Sequence, residues 1–173
     1  MISRVPAGPY GMDENCDVRS IEVSRVVDVP VERVFAFLAD PANHVALDTS
    51  GMVRGAATGA VIARVGDVFV MNMHNAFKGD HQVENHVVVY EPGRAIGWAP
   101  AEPGHPPAGH TWTWRLAPAE AGRTVVSQVY DWSRFSHVEM LDHLPVVDGA
   151  QLLASVDRLA EALVRTRGPA ETD

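Results

Sequence analysis

The stretch AQLLASVDRLAEALVRT, residues 150–166, decides how the rest of this chain is read. Leu152, Val156, Leu159 and Leu163 recur at helical spacing and form one stripe, with Ala160 beside it. Asp157, Arg158, Glu161 and Arg165 lie largely elsewhere. The pattern predicts an amphipathic helix of about four turns. Fully buried, each stripe residue contributes roughly 1.5 to 3 kcal/mol, a total comparable with the net stability of about 5 to 15 kcal/mol of a typical domain. The expectation is a domain that needs this helix in order to fold.

What precedes the helix is a run of strands. Between Gly51 and Trp132 the segments MVRGA, DVFVMNMHN, HQVENHVVVY, RAIGWA, HTWTWRL and TVVSQVYDW read as strands. They are separated by ATG, FKGD, EPG, AEPGHPPAG and APAEAG, each with the glycine or proline that a turn uses. Sequential strands with short connections predict an antiparallel meander. Further upstream, IEVSRVVDV (21–29) is a first strand with Ile21, Val23, Val27 and Val29 on one face, interrupted by Arg25. PVERVFAFLADP follows as a short amphipathic helix carrying Val31, Val34, Phe35 and Leu38, and PANHVALD as a second, with Asp40 before Pro41 marking the corner. Residues 133–149 have no regular period. Residues 1–19 read as an extension, 20–167 as one domain and 168–173 as a tail.

Composition fits one globular domain: 173 residues, 46% hydrophobic and 21% charged. A net charge of -8 with no cluster of Lys and Arg argues against nucleic acid as a partner. No segment has the length of a membrane span, and the N-terminus lacks a signal-peptide pattern. The single cysteine, Cys16, excludes an internal disulfide framework and suits a cytoplasmic protein. A homodimer is left open.

Period two assigns the inner face of the sheet. In HTWTWRL, His110, Trp112, Trp114 and Leu116 share one side, while Thr111, Thr113 and Arg115 suit solvent. The inward set continues with Phe69, Met71, Met73 and Asn75, then His81, Val83, Asn85, Val87 and Val89, then Ile96 and Trp98. In the last strand Tyr130 and Trp132 are placed inside, against the opposite parity of Val125, Ser127 and Val129. A buried Asn85 needs hydrogen-bond partners, from a ligand, a water or a tryptophan Nε1, or bears a desolvation cost of roughly 1 to 3 kcal/mol.

Strand, two short helices, antiparallel strands and one long C-terminal helix is the order of the helix-grip α+β fold. Through VPVERVFAFLADPANH, VGDVFVMNM, VVVYEPGRAIGWAP, TWTWRLAPAEAGRTVVSQVYDWS and LASVDRLAEALV, the chain resembles the START-like (SRPBCC) superfamily over roughly residues 20–166. That superfamily includes polyketide cyclases and dehydrases and birch-pollen-allergen-like proteins. The resemblance implies a curved sheet wrapped around the helix and a cavity between them for an apolar molecule. The lining it implies is Phe69, Met71, Met73, Asn75, Asn85, Trp98, His110, Trp112, Trp114, Tyr130, Trp132 and Val156.

Three functions compete. The first is binding of a small apolar, aromatic, polyketide- or lipid-like molecule, since aromatic surface with a few polar tips is the usual lining of such a site. The second is a cyclase, aromatase or dehydratase in which His110 acts as acid or base, because an imidazole titrates near neutrality. The third is an interaction module whose interior is packed. Eight histidines are present, of which His74 and His81 are further candidates, although most are expected to be structural. His137, Glu139, Asp142 and His143 lie close in sequence but in a surface connection, so no metal and no cofactor is expected. Asp48 is expected to close the turn after the second helix, and Arg94 to follow a tight outer turn.

Overall fold

A computed structural model describes residues 18–166. Cys16, nearly all of the expected extension and the 168–173 tail lie outside the described residues. The chain runs β1 (Ser20–Val27), α1 (Val31–Ala39), a 3₁₀ turn (Pro41–Asn43), α2 (His44–Leu47), β2 (Val53–Thr58), β3 (Val68–Asn75), β4 (Gly79–Glu91), β5 (Ala95–Ala101), β6 (Thr111–Pro118), β7 (Thr124–Asp131) and α3 (Gly149–Arg165). The irregular stretch before α3 contains one 3₁₀ segment, Val138–His143. All seven strands form one antiparallel sheet in the order β1-β7-β6-β5-β4-β3-β2.

Local chemistry sets the element ends. Asp40 precedes a proline and is extended, so α1 stops there, and its carboxylate then accepts the Ala42 N–H at 3.0 Å to start the next turn. Asp48 accepts from the Ser50 and Val53 amides at 2.9 and 3.1 Å, closing the turn into β2. At the start of α3, Asp148 accepts from the Gln151 N–H at 2.8 Å and Gln151 Oε1 from the Asp148 N–H at 2.9 Å, a reciprocal capping box.

The stripe of α3 is buried as its spacing predicts: Leu152, Val156, Leu159 and Leu163 are 1%, 0%, 0% and 3% exposed. The helix rests chiefly on β1 and β7, with α1 over β5 and β6 and α2 against β2. Polar contacts hold these helices together. Ser155 Oγ donates to the Leu47 carbonyl at 2.8 Å, Thr49 Oγ1 to the Gln151 carbonyl at 2.9 Å, and Arg33 to the Leu163 carbonyl at 2.9 Å. Arg25, which interrupts the inner face of β1, reaches Asp157 of α3 at 2.7 Å.

Parity holds along β3, β5, β6 and β7, and fails at one place in β4. Val87 pairs with Trp98 but Val89 pairs with Gly97, so two residues of β4 oppose one of β5. This bulge turns Val89, expected inside, to the outer face. Tyr90, opposite Ile96, takes the inner position, its ring edge-on to Phe35 at 5.5 Å. An extra residue reverses a period of two, and nothing in a run of valines marks where it sits.

Burial along the inner face is graded. Phe69, Met71, Asn85, Val87, Ile96, Trp114 and Leu116 are buried, while Met73, His81, Val83, Trp98, His110 and Trp112 are only half-buried. One end of the face is sealed and the other is partly uncovered. Because Leu159 is wholly enclosed, Leu159→Ala is expected to lower unfolding free energy by about 2 to 5 kcal/mol. Urea denaturation should show it as a lower midpoint at unchanged slope.

Candidate functional site

Strand register brings the inward side chains into transverse rows. One row runs Val87, Trp98, Trp112, Tyr130 and Ile21, and the next, toward the sealed end, Tyr90, Ile96, Trp114, Gln128 and Val23. Asn85 sits opposite Phe69 on one side and Pro100 on the other.

The aromatic residues divide into two groups. Trp112 stacks on Tyr130 with centroids 4.0 Å apart and planes 5° from parallel, and Tyr130 meets Trp132 at 4.9 Å. His110, just before β6, lies edge-on to Phe135 at 5.4 Å and 6.4 Å from Tyr130. Val147 and Leu152 pack against this group from the start of α3. Trp98, expected to join the tryptophans of the next strand, stacks instead on His44 at 4.7 Å and 16°, with Phe69 edge-on at 5.4 Å. Trp114 and Val156 belong to the packed core, 2% and 0% exposed.

Gly109 fixes the approach to His110. Its φ is +105°, and a Cβ there would lie 2.0 Å from the Arg134 carbonyl oxygen. Only a residue without a side chain lets these segments cross. The Ser136 N–H and Oγ both donate to the Ala108 carbonyl, at 2.8 and 2.9 Å, and tie the two segments together.

The inward positions of β3 to β7 carry no Lys, Arg, Asp or Glu. Burial, with a smaller push from the nearby His137, lowers the His110 pKa to about 4. Burial raises Tyr130 to about 12, against a weaker opposing effect of the Val146 backbone. His110 Nδ1, Gln128 Oε1 and the Tyr130 hydroxyl are fully buried without a well-formed hydrogen bond among the described residues. Asn85, 5% exposed, makes no side-chain hydrogen bond to any described residue, and no tryptophan Nε1 serves it.

The expected lining is therefore sorted by the structure. Met73, Trp98, His110 and Trp112 border the uncovered end, with Phe69, Met71, Asn85, Tyr130 and Trp132 buried behind or beside them. An open hollow of about 500 Å³ around the β3–β4 hairpin is bordered by Met73 and His81 together with the polar Arg54, Asn72, Asp80 and Gln82. Asn75 is occupied elsewhere: its Oδ1 accepts from the Phe77 and Lys78 amides at 3.0 and 2.8 Å, forming the hairpin turn. His81 Nδ1 lies 2.9 Å from the Gly79 carbonyl, and His74 pairs with Asp80 at 2.7 Å on the exposed side. His137 and His143 are exposed. Among the described residues no three His, Cys, Asp or Glu side chains converge as a metal site would require.

The residue that sequence reading missed is His44. It is 8% exposed, its Nε2 lies 2.8 Å from the Leu38 carbonyl, and burial lowers its pKa. Its only signal was position, in a short helix read as a corner of the chain.

A family model described as polyketide cyclase / dehydrase and lipid transport matches residues 18–164. Uncharacterized proteins from two strains of Mycobacterium tuberculosis are 31% and 32% identical over 131 residues, covering 76% of this chain and 51% of their own length. The chain thus spans about half the length of the curated relatives it matches. The solution structure of a protein from Arthrobacter aurescens shares the fold with a TM-score of 0.63 at 15% identity, over 92% of this chain and 94% of that one. A crystal structure from Mycobacterium smegmatis gives 0.61 at 15% identity, over 87% and 94%. At such identities the likeness is one of fold.

The depressed His110 pKa has a consequence for stability. Between about pH 6.5 and 4 the unfolded chain binds a proton that the folded chain refuses, so stability falls as pH drops through this window. The full shift corresponds to at most about 3 to 4 kcal/mol. His110→Gln is expected to flatten the decline in denaturation midpoint between pH 6.5 and 4, His44 continuing to contribute in the same direction.

Proposed function

The chain belongs to the polyketide cyclase / dehydrase and lipid transport family, and from that premise we propose that it holds a small, uncharged, largely apolar molecule against the half-buried end of its inner sheet face. One observation carries this reading: an aromatic surface, with no charged residue at the inward positions of β3 to β7, at which the Asn85 side chain and His110 Nδ1 lack hydrogen-bond partners among the described residues. A core selected only for packing satisfies its polar atoms, because each orphan costs about 1 to 3 kcal/mol. Polar atoms of a bound molecule supply what the protein does not.

In this proposal Trp98 and Trp112 offer ring surface, Met71 and Met73 adaptable apolar contact, and Phe69, Trp132 and Val156 the rigid backing. His110 and Tyr130 are each able to donate or accept, and they fix a hydroxyl or carbonyl of the ligand. Among the described residues the inward positions of β3 to β7 carry no Lys or Arg to pair with a carboxylate or phosphate, and Arg54 stands only at the rim of the hollow beside Met73 and His81.

The second reading, an enzyme with His110 as acid or base, draws its support from the same unpaired imidazole. A base whose pKa is held near 4 has little driving force to take a proton at pH 7. That ranks binding above proton transfer by His110.

Calorimetric titration with 1-naphthol and 1-naphthoate, flat molecules of similar size that differ in charge, tests the proposal. Saturable binding of 1-naphthol is expected, with the carboxylate weaker by at least about tenfold because its charge would be buried unpaired. Trp112→Ala is expected to weaken 1-naphthol by about 2- to 10-fold. Equal affinity for the two compounds, or no saturable binding of either, would overturn the reading.

A further inference from the structure

His44 combines three features that its neighbours do not share. A carbonyl oxygen only accepts, so the 2.8 Å contact with Leu38 places the ring proton on Nε2 and leaves the Nδ1 lone pair bare. The imidazole is clamped, lying parallel to Trp98 at 4.7 Å with Phe69 edge-on at 5.2 Å. Nδ1 has no partner among the described residues, yet it is not one of the fully buried unpaired atoms and so retains contact with accessible space. The ring is held neutral by burial, which keeps the lone pair available.

Resting on the binding proposal above, we propose that His44 Nδ1 is the hydrogen-bond acceptor that selects the ligand: it receives a proton donor, a hydroxyl, phenol or N–H, on a flat molecule lying in the layer over Trp98. An imidazole lone pair points in the plane of its ring, and this plane is within 16° of the Trp98 indole. A donor that meets Nδ1 therefore sits in a layer parallel to the indole, where an attached aromatic ring gains stacking surface. His110 has no comparable fixation, since neither of its nitrogens is assigned a proton by a backbone carbonyl. Asn85, beside Phe69 in the register, is placed to serve a second polar group on the same molecule. The selection is for donors: a ligand offering only acceptors toward His44 would bury two opposed lone pairs.

The test uses the full chain labelled with ¹⁵N-histidine and the pair 1-naphthol and naphthalene, identical in ring shape and different in one donor. In the free protein a long-range proton–nitrogen spectrum should show His44 protonated on Nε2 and bare on Nδ1. Addition of 1-naphthol should shift the Nδ1 resonance, and naphthalene should leave it in place. Wild-type protein should prefer 1-naphthol by about 2- to 10-fold, and His44→Phe, which keeps a stacking ring and removes the acceptor, should bind both equally. The nitrogen spectrum is read on wild-type protein and so decides the matter even if the variant misfolds. Binding of 1-naphthol with an unmoved Nδ1 signal overturns the role of His44 and leaves the binding proposal standing. Absence of binding by either compound overturns both.

Discussion

A single helix is too narrow to cover a seven-stranded sheet, and the rest of this structure follows from that mismatch. A helix with its side chains is about 10 to 12 Å wide and strands lie about 4.8 Å apart, so one helix shields roughly two strands. Here α3 lies on β1 and β7, and the remaining inner face must find other cover. The short helix α1, over β5 and β6, supplies it at one end, where Ile96 and Trp114 are buried. At the other end Met73, Trp98 and Trp112 stay half-buried. The surface proposed to hold a ligand is the part of the sheet that α3 and the short helices leave least covered.

That surface combines aromatic area with neutral polar tips, and the combination limits its chemistry. Burial shifts three titratable groups there toward their uncharged forms, His44 and His110 downward and Tyr130 upward. In the binding proposal such a surface would discriminate by shape and by hydrogen-bond direction rather than by charge. Family membership accounts for the fold, and a fold does not by itself name a ligand.

Rigidity comes from backbone devices at the edges of the site. The capping box at Asp148 sets the start of α3, which places Leu152 under the Tyr130 group. Gly109 lets the segment before β6 cross Arg134 and holds His110 against Phe135. The Asn75 turn forms the tip of the β3–β4 hairpin beside the open hollow. None of these groups faces a ligand, yet each fixes where a facing group stands.

The sequence by itself determined the periodic features. Spacings of three and four in residues 152–163 announced the buried stripe of α3, and alternation in HTWTWRL and DVFVMNMHN named the inner face, because helix and strand geometry are local and repeat in every chain that adopts them. Tertiary structure alone decided whatever depends on contacts between distant segments. The bulge at Val87 to Val89 exchanged Val89 for Tyr90, since register is settled by the partner strand rather than by the valines themselves. Trp98 turned from the other tryptophans to His44, a residue 54 positions away, because the His44 side chain at the start of α2 offers a flat ring at stacking distance. Which tautomer His44 carries, and which polar atoms are left without partners, are properties of what surrounds a side chain. No pattern along the chain encodes them.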